Sequence, residues 1–323
     1  MPHVATRHVV VNFPASVVSA LADGQLSARD TQKIFEQVLF EALDQRARAR
    51  LDLSPHAKLG FGAASILHPF TNDLRFSPHL HALVLDGTFI REDHVVRFEQ
   101  NIEAPDSGWL TAVAAELAAR LQRGIRPHAS TPLSLIELRN AARTPPPGAP
   151  KRARRRRAKS TGSDNTASVA RSQGVRIHVS EQIAARDHHQ RRRVLDYLCR
   201  SPLDPNKAAV CSAHRVHVGL PRARRDGAEA IELAPDELAR RIAALGSLAE
   251  PGVLRQHGVL ARRVARRWEL EAEQLGFPAV ESTAEGARKA RSRRAEPRSN
   301  AKCRYCGGRL VARVVEVARA RGS

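Results

Sequence analysis

A short β-branched run, HVVVNF at residues 8–13, closes at Pro14 and predicts a strand. From about Ser27 the period changes, because Ile34, Val38, Leu39 and Leu43 recur at helical spacing and predict a long amphipathic helix. Two apolar runs follow, at residues 61–70 and 76–85, separated by the turn-forming Thr71-Asn72-Asp73, with a further break at Asp86-Gly87. They predict an antiparallel hairpin. The Ala-rich residues 109–121 predict a second helix, after which Pro145-Pro146-Pro147-Gly148 and the run KRARRRRAKSTGSDNTAS interrupt the packed chain. Alternation returns in Val175-Arg176-Ile177-His178-Val179, a predicted strand, and residues 186–200 then form a predicted helix that ends before Pro202. Residues 215–220 predict another strand. Pro235 opens a helix in the favoured first-turn position, and a basic helix is expected around residues 261–275. Residues 281–302 are polar and basic, the chain closes on an alternating run at 310–317, and no internal repeat is visible.

Composition adds scale and a partner. At 323 residues and 42% hydrophobic, the chain can bury the core of about two domains, which excludes a protein disordered or fibrous throughout. Its net charge of +20 points to a polyanion, nucleic acid or an anionic surface. That charge is unevenly placed: residues 1–140 carry 14 Lys and Arg against 15 Asp and Glu, whereas residues 141–323 carry 39 against 18. Nine Phe, two Trp and two Tyr are few for base-stacking platforms, so phosphate contacts are the expected source of affinity. The densest basic stretch, from Lys151 and Arg152 to Lys159, has seven cations in nine positions and reads either as a phosphate-binding segment or as a solvated linker. No run approaches the length of a membrane span, and the first residues lack a signal-peptide pattern, so an intracellular protein is expected. Four scattered cysteines agree with a reducing compartment. Cys303 and Cys306 form half a zinc knuckle, but a closed zinc site needs four ligands and no second pair lies nearby.

The candidate chemistry lies in the predicted hairpin. In His79-Leu80-His81 the two imidazoles are at i and i+2 of a strand, project to one face and can reach one metal. Fourteen histidines supply on the order of 0.6 such pairs by chance, so spacing alone also allows two histidines satisfied by packing. Their place at the start of a buried-looking strand, where an imidazole needs a partner, adds weight. Tyr197 sits beside the apolar stripe Val194, Leu195 and Leu198, where a tyrosine is either rim packing or a nucleophile. The other tyrosine, Tyr305, stands between cysteines in the tail.

Leu67-His68-Pro69-Phe70 through Phe76-Ser77-Pro78-His79-Leu80-His81-Ala82-Leu83-Val84-Leu85-Asp86-Gly87 resembles the histidine-hydrophobe-histidine motif of rolling-circle insertion-sequence transposases, the IS-ninety-one and common-region kind. Arg193-Val194-Leu195-Asp196-Tyr197-Leu198-Cys199-Arg200-Ser201-Pro202-Leu203 is similar to the tyrosine helix of that family, which runs into a basic residue and a proline-containing turn. His257-Gly258-Val259-Leu260-Ala261 resembles its C-terminal His-Gly-Val block.

The resemblance implies an α+β protein: an HUH-type nuclease core with an antiparallel sheet and flanking helices, a basic flexible insert and a helical C-terminal region. It implies a division into the first part of the nuclease core with the His pair (1–140), the insert (141–173), the tyrosine helix and remainder of the transposase domain (174–278), and a basic tail (279–323). It implies that His79 and His81, with His68 as third ligand, hold Mg²⁺ or Mn²⁺, and that Tyr197 attacks a phosphodiester of single-stranded DNA to form a 5′-phosphotyrosine. Asp73 or another carboxylate is the alternative third ligand, Asp86 serves the turn, and His257 belongs to a structural or DNA-facing block. Arg193 stands where some relatives carry a second tyrosine, which implies the single-tyrosine variety. Arg191, Arg192 and Arg193, within about two helical turns of Tyr197, and Arg200 are expected to hold the DNA backbone. The implied partners are the single-stranded ends of a mobile element and target DNA, with no membrane, in a bacterial-type cytoplasm. The family carries an N-terminal zinc-binding domain, whereas this chain starts almost at the first strand, so a shortened copy is expected. A non-catalytic DNA-binding remnant, or a replication initiator or relaxase, are the other readings.

Overall fold

The computed structural model describes residues 4–71, 73–92, 95–101, 104–127, 132–144, 168–199, 205–220, 228–245 and 254–268. In chain order the first elements are strand β1 (Thr6–Asn12), helices α1 (Ala15–Asp23) and α2 (Ala28–Arg50), strands β2 (Lys58–Gly60), β3 (Gly62–Phe70), β4 (Phe76–Leu85), β5 (Gly87–Glu92) and β6 (Val95–Gln100), and helices α3 (Ser107–Gly124) and α4 (Leu133–Ala142). Then come β7 (Ser168–Ser172), β8 (Val175–Ile183), α5 (His188–Leu198), β9 (Ala208–Ser212), β10 (Arg215–Gly219), β11 (Ala230–Leu233), α6 (Pro235–Leu245), β12 (Arg255–Gly258) and α7 (Arg262–Arg267). The fold is mixed α and β with antiparallel sheets, as expected.

Six strands in the order β12-β3-β4-β1-β8-β7 form the main sheet, and every neighbouring pair in it is antiparallel. Period-two alternation divides its faces. Val9, Val11, Ala63, Leu67, Leu80, Ala82, Val84, Ile177 and Val179 form the core with α2 and α3. Both helices start on side-chain caps: Ser27 accepts from the Asp30 N–H and Asp106 from the Trp109 N–H. Asp30 in the first turn of α2 and Arg48 and Arg50 in its last also complement the helix dipole. On the opposite face α5 lays Val194, Leu195 and Leu198 against Ile66, Leu83 and Ile183.

Two smaller sheets flank this layer, β2-β5-β6 and β11-β10-β9. The second packs its Val216, Val218, Ile231 and Leu233 with Ala142 of α4 and Ala244 of α6. Two fully buried arginines tie this part together through backbone carbonyls. Arg139 donates to Leu21 and Ala22 near the end of α1, and Arg241 to Leu74, Ala142 and Thr144 while paired with Glu237. A charge without such acceptors would not be buried here.

Three expectations change. The region after α5 is not simply helical, since its described residues include β9 to β12 beside α6 and α7. Short strands with few apolar residues, such as RQHG of β12, take their conformation from the strand they join rather than from their own pattern. The segment 141–173, read as an insert, ends in an ordered strand, β7. Gln173 and Gly174 both have positive φ, 46° and 82°, and close a two-residue hairpin from β7 to β8. Asp86 is not merely a turn residue, because it is buried and accepts from Arg7 at 2.8 Å, Gln182 at 2.5 Å and Asn101 at 3.3 Å. It thereby joins β1, β8 and the chain beyond β6 at one end of the sheet.

Candidate active site

The strand alternation that points Leu80 and Ala82 into the core sends His79 and His81 to the other face, with ring centroids 4.9 Å apart. The β3–β4 register sets His68 directly opposite His79, and its ring lies 4.7 Å from that of His81. One ligand atom from each of His68, His79 and His81 falls within 4.8 Å of the others. Asp73 is not a member of this group, and its carboxylate instead accepts the Thr71 hydroxyl within the turn.

Each ring has one nitrogen engaged, which leaves the other for a cation. His79 donates Nδ1–H to the Ser77 carbonyl at 2.9 Å, and His68 donates Nε2–H to the Leu198 carbonyl at 2.8 Å. His81 Nδ1 lies 3.1 Å from His8 Nε2, while His81 Nε2 is buried with no hydrogen-bond partner. Backbone carbonyls that hold the far nitrogen of a histidine fix its tautomer and aim the near one, as metal-binding histidines require. Electrostatics agree. Burial pushes the His79 pKa down to about 4, lowers that of His68, and, with His79 and His68 beside it, lowers that of His81 further. At neutral pH these rings are uncharged with their lone pairs available, so the residues present fit a divalent cation.

Tyr197 reaches the cluster from above. Asp187 caps α5 by accepting from the Gln190 N–H at 2.8 Å, and the bond from His68 to the Leu198 carbonyl anchors the other end of the helix. The Tyr197 ring stands edge-on to His81 with centroids 5.2 Å apart, and 6.0 Å from His68. An open cleft of about 560 Å³ runs beside it, lined among others by His8, Asn12, His79, His81, Arg193 and Tyr197.

The three arginines of α5 diverge. Consecutive residues are about 100° apart on a helix, so they cannot share a face. Arg191 is buried at 3% exposure, which corrects the expectation that it lies open to a DNA backbone. Arg192 is exposed and lies 3.9 Å from Asp196, whereas Arg193, one turn before Tyr197, lines the cleft. Arg200, Lys151, Arg152, Cys303 and Cys306 lie outside the described residues.

The sequence reading passed over His8, Asn12 and His178. The available signal was parity along a strand, which becomes informative only with the pairing known. Cross-strand register places Arg171, Arg176, Asn12, His79 and His68 in one row on this face, and Val169, His178, Val10, His81 and Ile66 in the next. His257 proves structural. It is buried, lies 2.7 Å from the Ser65 hydroxyl and 2.9 Å from the Glu36 carboxylate, and secures β12 to β3 and α2. Gly258 follows with φ 56°, and a Cβ there would collide with the Phe61 carbonyl oxygen, so the turn requires glycine.

Residues 62–267 match the family described as "Putative transposase", nearly two thirds of the chain, and the chain belongs to that family. It is thus a transposase, of a class of enzymes that act on DNA. No curated protein and no solved structure matches it. Among the described residues no helix is long and apolar enough to cross a membrane.

Proposed function

We propose that this transposase nicks and rejoins single-stranded DNA at the ends of a mobile element, with Tyr197 as the nucleophile and His68, His79 and His81 as ligands of a divalent cation. The observation that carries this reading is the convergence of three neutral imidazoles on one point beneath the only tyrosine of the described residues. It is the arrangement expected of an HUH-type nuclease. When bound, the cation would polarise the scissile phosphate and stabilise charge developing there.

Tyr197 Oη forms the new P–O bond, its proton passes to solvent or a nearby base, and the bond from phosphorus to the 3′ oxygen breaks. The leaving oxygen takes up a proton and departs as a 3′-hydroxyl. The 5′-phosphotyrosine retains a phosphodiester bond, so attack by a 3′-hydroxyl rejoins a strand and releases the tyrosine without a nucleotide cofactor. Arg193 at the cleft, with Arg176 and Arg171 farther along the row that contains His79, supplies cations for phosphates approaching the site. Three nitrogen ligands suit Mn²⁺ better than Mg²⁺, which favours oxygen donors.

The test is incubation with Mn²⁺ or Mg²⁺ and labelled single-stranded DNA of candidate end sequences, read on a denaturing gel. A covalent adduct absent from Tyr197→Phe, and formed at lower Mn²⁺ than Mg²⁺, is expected. DNA binding without any adduct would instead identify a non-catalytic remnant.

A further inference from the structure

His8 lies on β1, outside the residues matched to the family, and its Nε2 is 3.1 Å from Nδ1 of His81. We infer that His8 is a positioning residue of the site, which accepts the Nδ1–H of His81 and so keeps the lone pair of His81 on Nε2, aimed at the cation. The inference rests on the reading of His68, His79 and His81 as ligands.

The proton between the two rings belongs to one of them, and burial decides which. Were His8 the donor, neutral His81 would carry its hydrogen on Nε2, an atom buried without a partner. A buried N–H with no acceptor costs about 1–3 kcal/mol. With His81 as donor, that atom presents a lone pair, and every ring of the cluster then has one nitrogen held by a hydrogen bond and a lone pair on the other. His8 is placed to accept, because its Nε2 faces His81 Nδ1 at 3.1 Å from a ring held nearly parallel to it.

The backbone provides a device that places His8. Between β1 and β8 the register runs Arg7 to Gln182 and then Val9 to Val179, so β8 sets two residues, Ser180 and Glu181, against the single His8. This bulge removes the His8 N–H from the ladder, and the Ser180 hydroxyl accepts it at 2.9 Å. Bulges beside sites re-aim side chains. Here the ring is brought within 12° of parallel to His81, with centroids 5.2 Å apart.

Two measurements test this on the full chain. Calorimetric titration with Mn²⁺ alone should show affinity about 10–100-fold weaker in His8→Ala. His8→Gln, whose amide oxygen can accept the same proton, should restore most of it. His217→Ala, an exposed histidine of the separate β9–β11 sheet, should match wild type. In the metal-free protein, long-range ¹H–¹⁵N NMR should assign the Nδ1–H tautomer to His81, and His8→Ala should mix the tautomers. Wild-type affinity in a folded His8→Ala, or an Nε2–H tautomer of His81 in wild type, overturns the inference. So does a fourth nitrogen coupled to the cation by electron spin resonance, since His8 would then be a ligand. If wild type binds no Mn²⁺, or His81→Ala binds it equally well, the ligand reading itself fails; the tautomer, measured without metal, keeps the two failures apart.

Discussion

The two faces of the main sheet are cut from the same strands but do different work. On β4, Leu80 and Ala82 are fully buried against α2 and α3, while their neighbours His79 and His81 face α5 and the cleft. The core face is mainly aliphatic, and the polar groups it buries, Gln32, Ser65 and His257, are hydrogen-bonded to one another and to Glu36. The site face retains a buried nitrogen without a hydrogen-bond partner and four neighbouring imidazoles, His8, His68, His79 and His81. Burying such groups is unfavourable unless a ligand or partner completes them. The contrast teaches that stability here resides on one side of the sheet and is spent on the other, so substitutions at adjacent positions should separate folding from chemistry.

The sharpest test of that division is Tyr197→Phe. It removes one hydroxyl from the rim of the site face and should abolish adduct formation with the melting temperature nearly unchanged. Residual adduct on a denaturing gel would mean another nucleophile. Next come the neighbours Leu80→Ala and His81→Ala. The first should cost about 2–5 kcal/mol in urea denaturation with Mn²⁺ affinity retained, and the second should abolish Mn²⁺ binding in calorimetry with a smaller loss of stability. Equal destabilisation with binding intact in both would erase the difference between the faces. Arg193→Ala should weaken single-stranded DNA binding several-fold and reduce the slope of log affinity against log salt by about 0.7, more than exposed Arg192→Ala does. Fluorescence anisotropy across a salt series distinguishes them, and equal slopes would remove Arg193 from the cleft's role.

The smallest effect concerns the sheet's edge rather than either face. Burial alone would raise the Glu36 pKa, but the hydrogen bond and charge of His257, the Gly258 N–H and Lys33 outweigh it and hold the carboxyl below its ordinary value. A carboxylate with a depressed folded pKa contributes stability above its unfolded pKa and loses it as pH falls through the folded one. Glu36→Gln should therefore be less stable than wild type at neutral pH, with the gap closing in acid. Denaturation at the two pH values checks this, and a gap independent of pH would contradict it.

Much of this molecule was legible in the linear chain. The apolar runs at residues 61–70 and 76–85, divided by a turn signal, marked β3 and β4, and strand parity put His79 and His81 on one face. Helical spacing of apolar residues marked α2, an Ala-rich run α3 and a helix-forming segment before Pro202 α5, with Arg191, Arg192 and Arg193 within about two helical turns of Tyr197. These features are local, because a strand's parity and a helix's stripe follow from backbone geometry within a few residues. What stood beside them was not legible. That β1 inserts between β4 and β8, that β12 closes on β3, and that β8 bulges opposite His8 are pairings across 67 to 196 residues, chosen by the joint burial of both partners. Tertiary structure alone therefore brought His8 to His81, buried Arg191 of α5 while leaving Arg193 at the cleft, and made His257 a buried tie to Glu36 and Ser65, because each outcome depends on the packed neighbour and not on the residue's own segment.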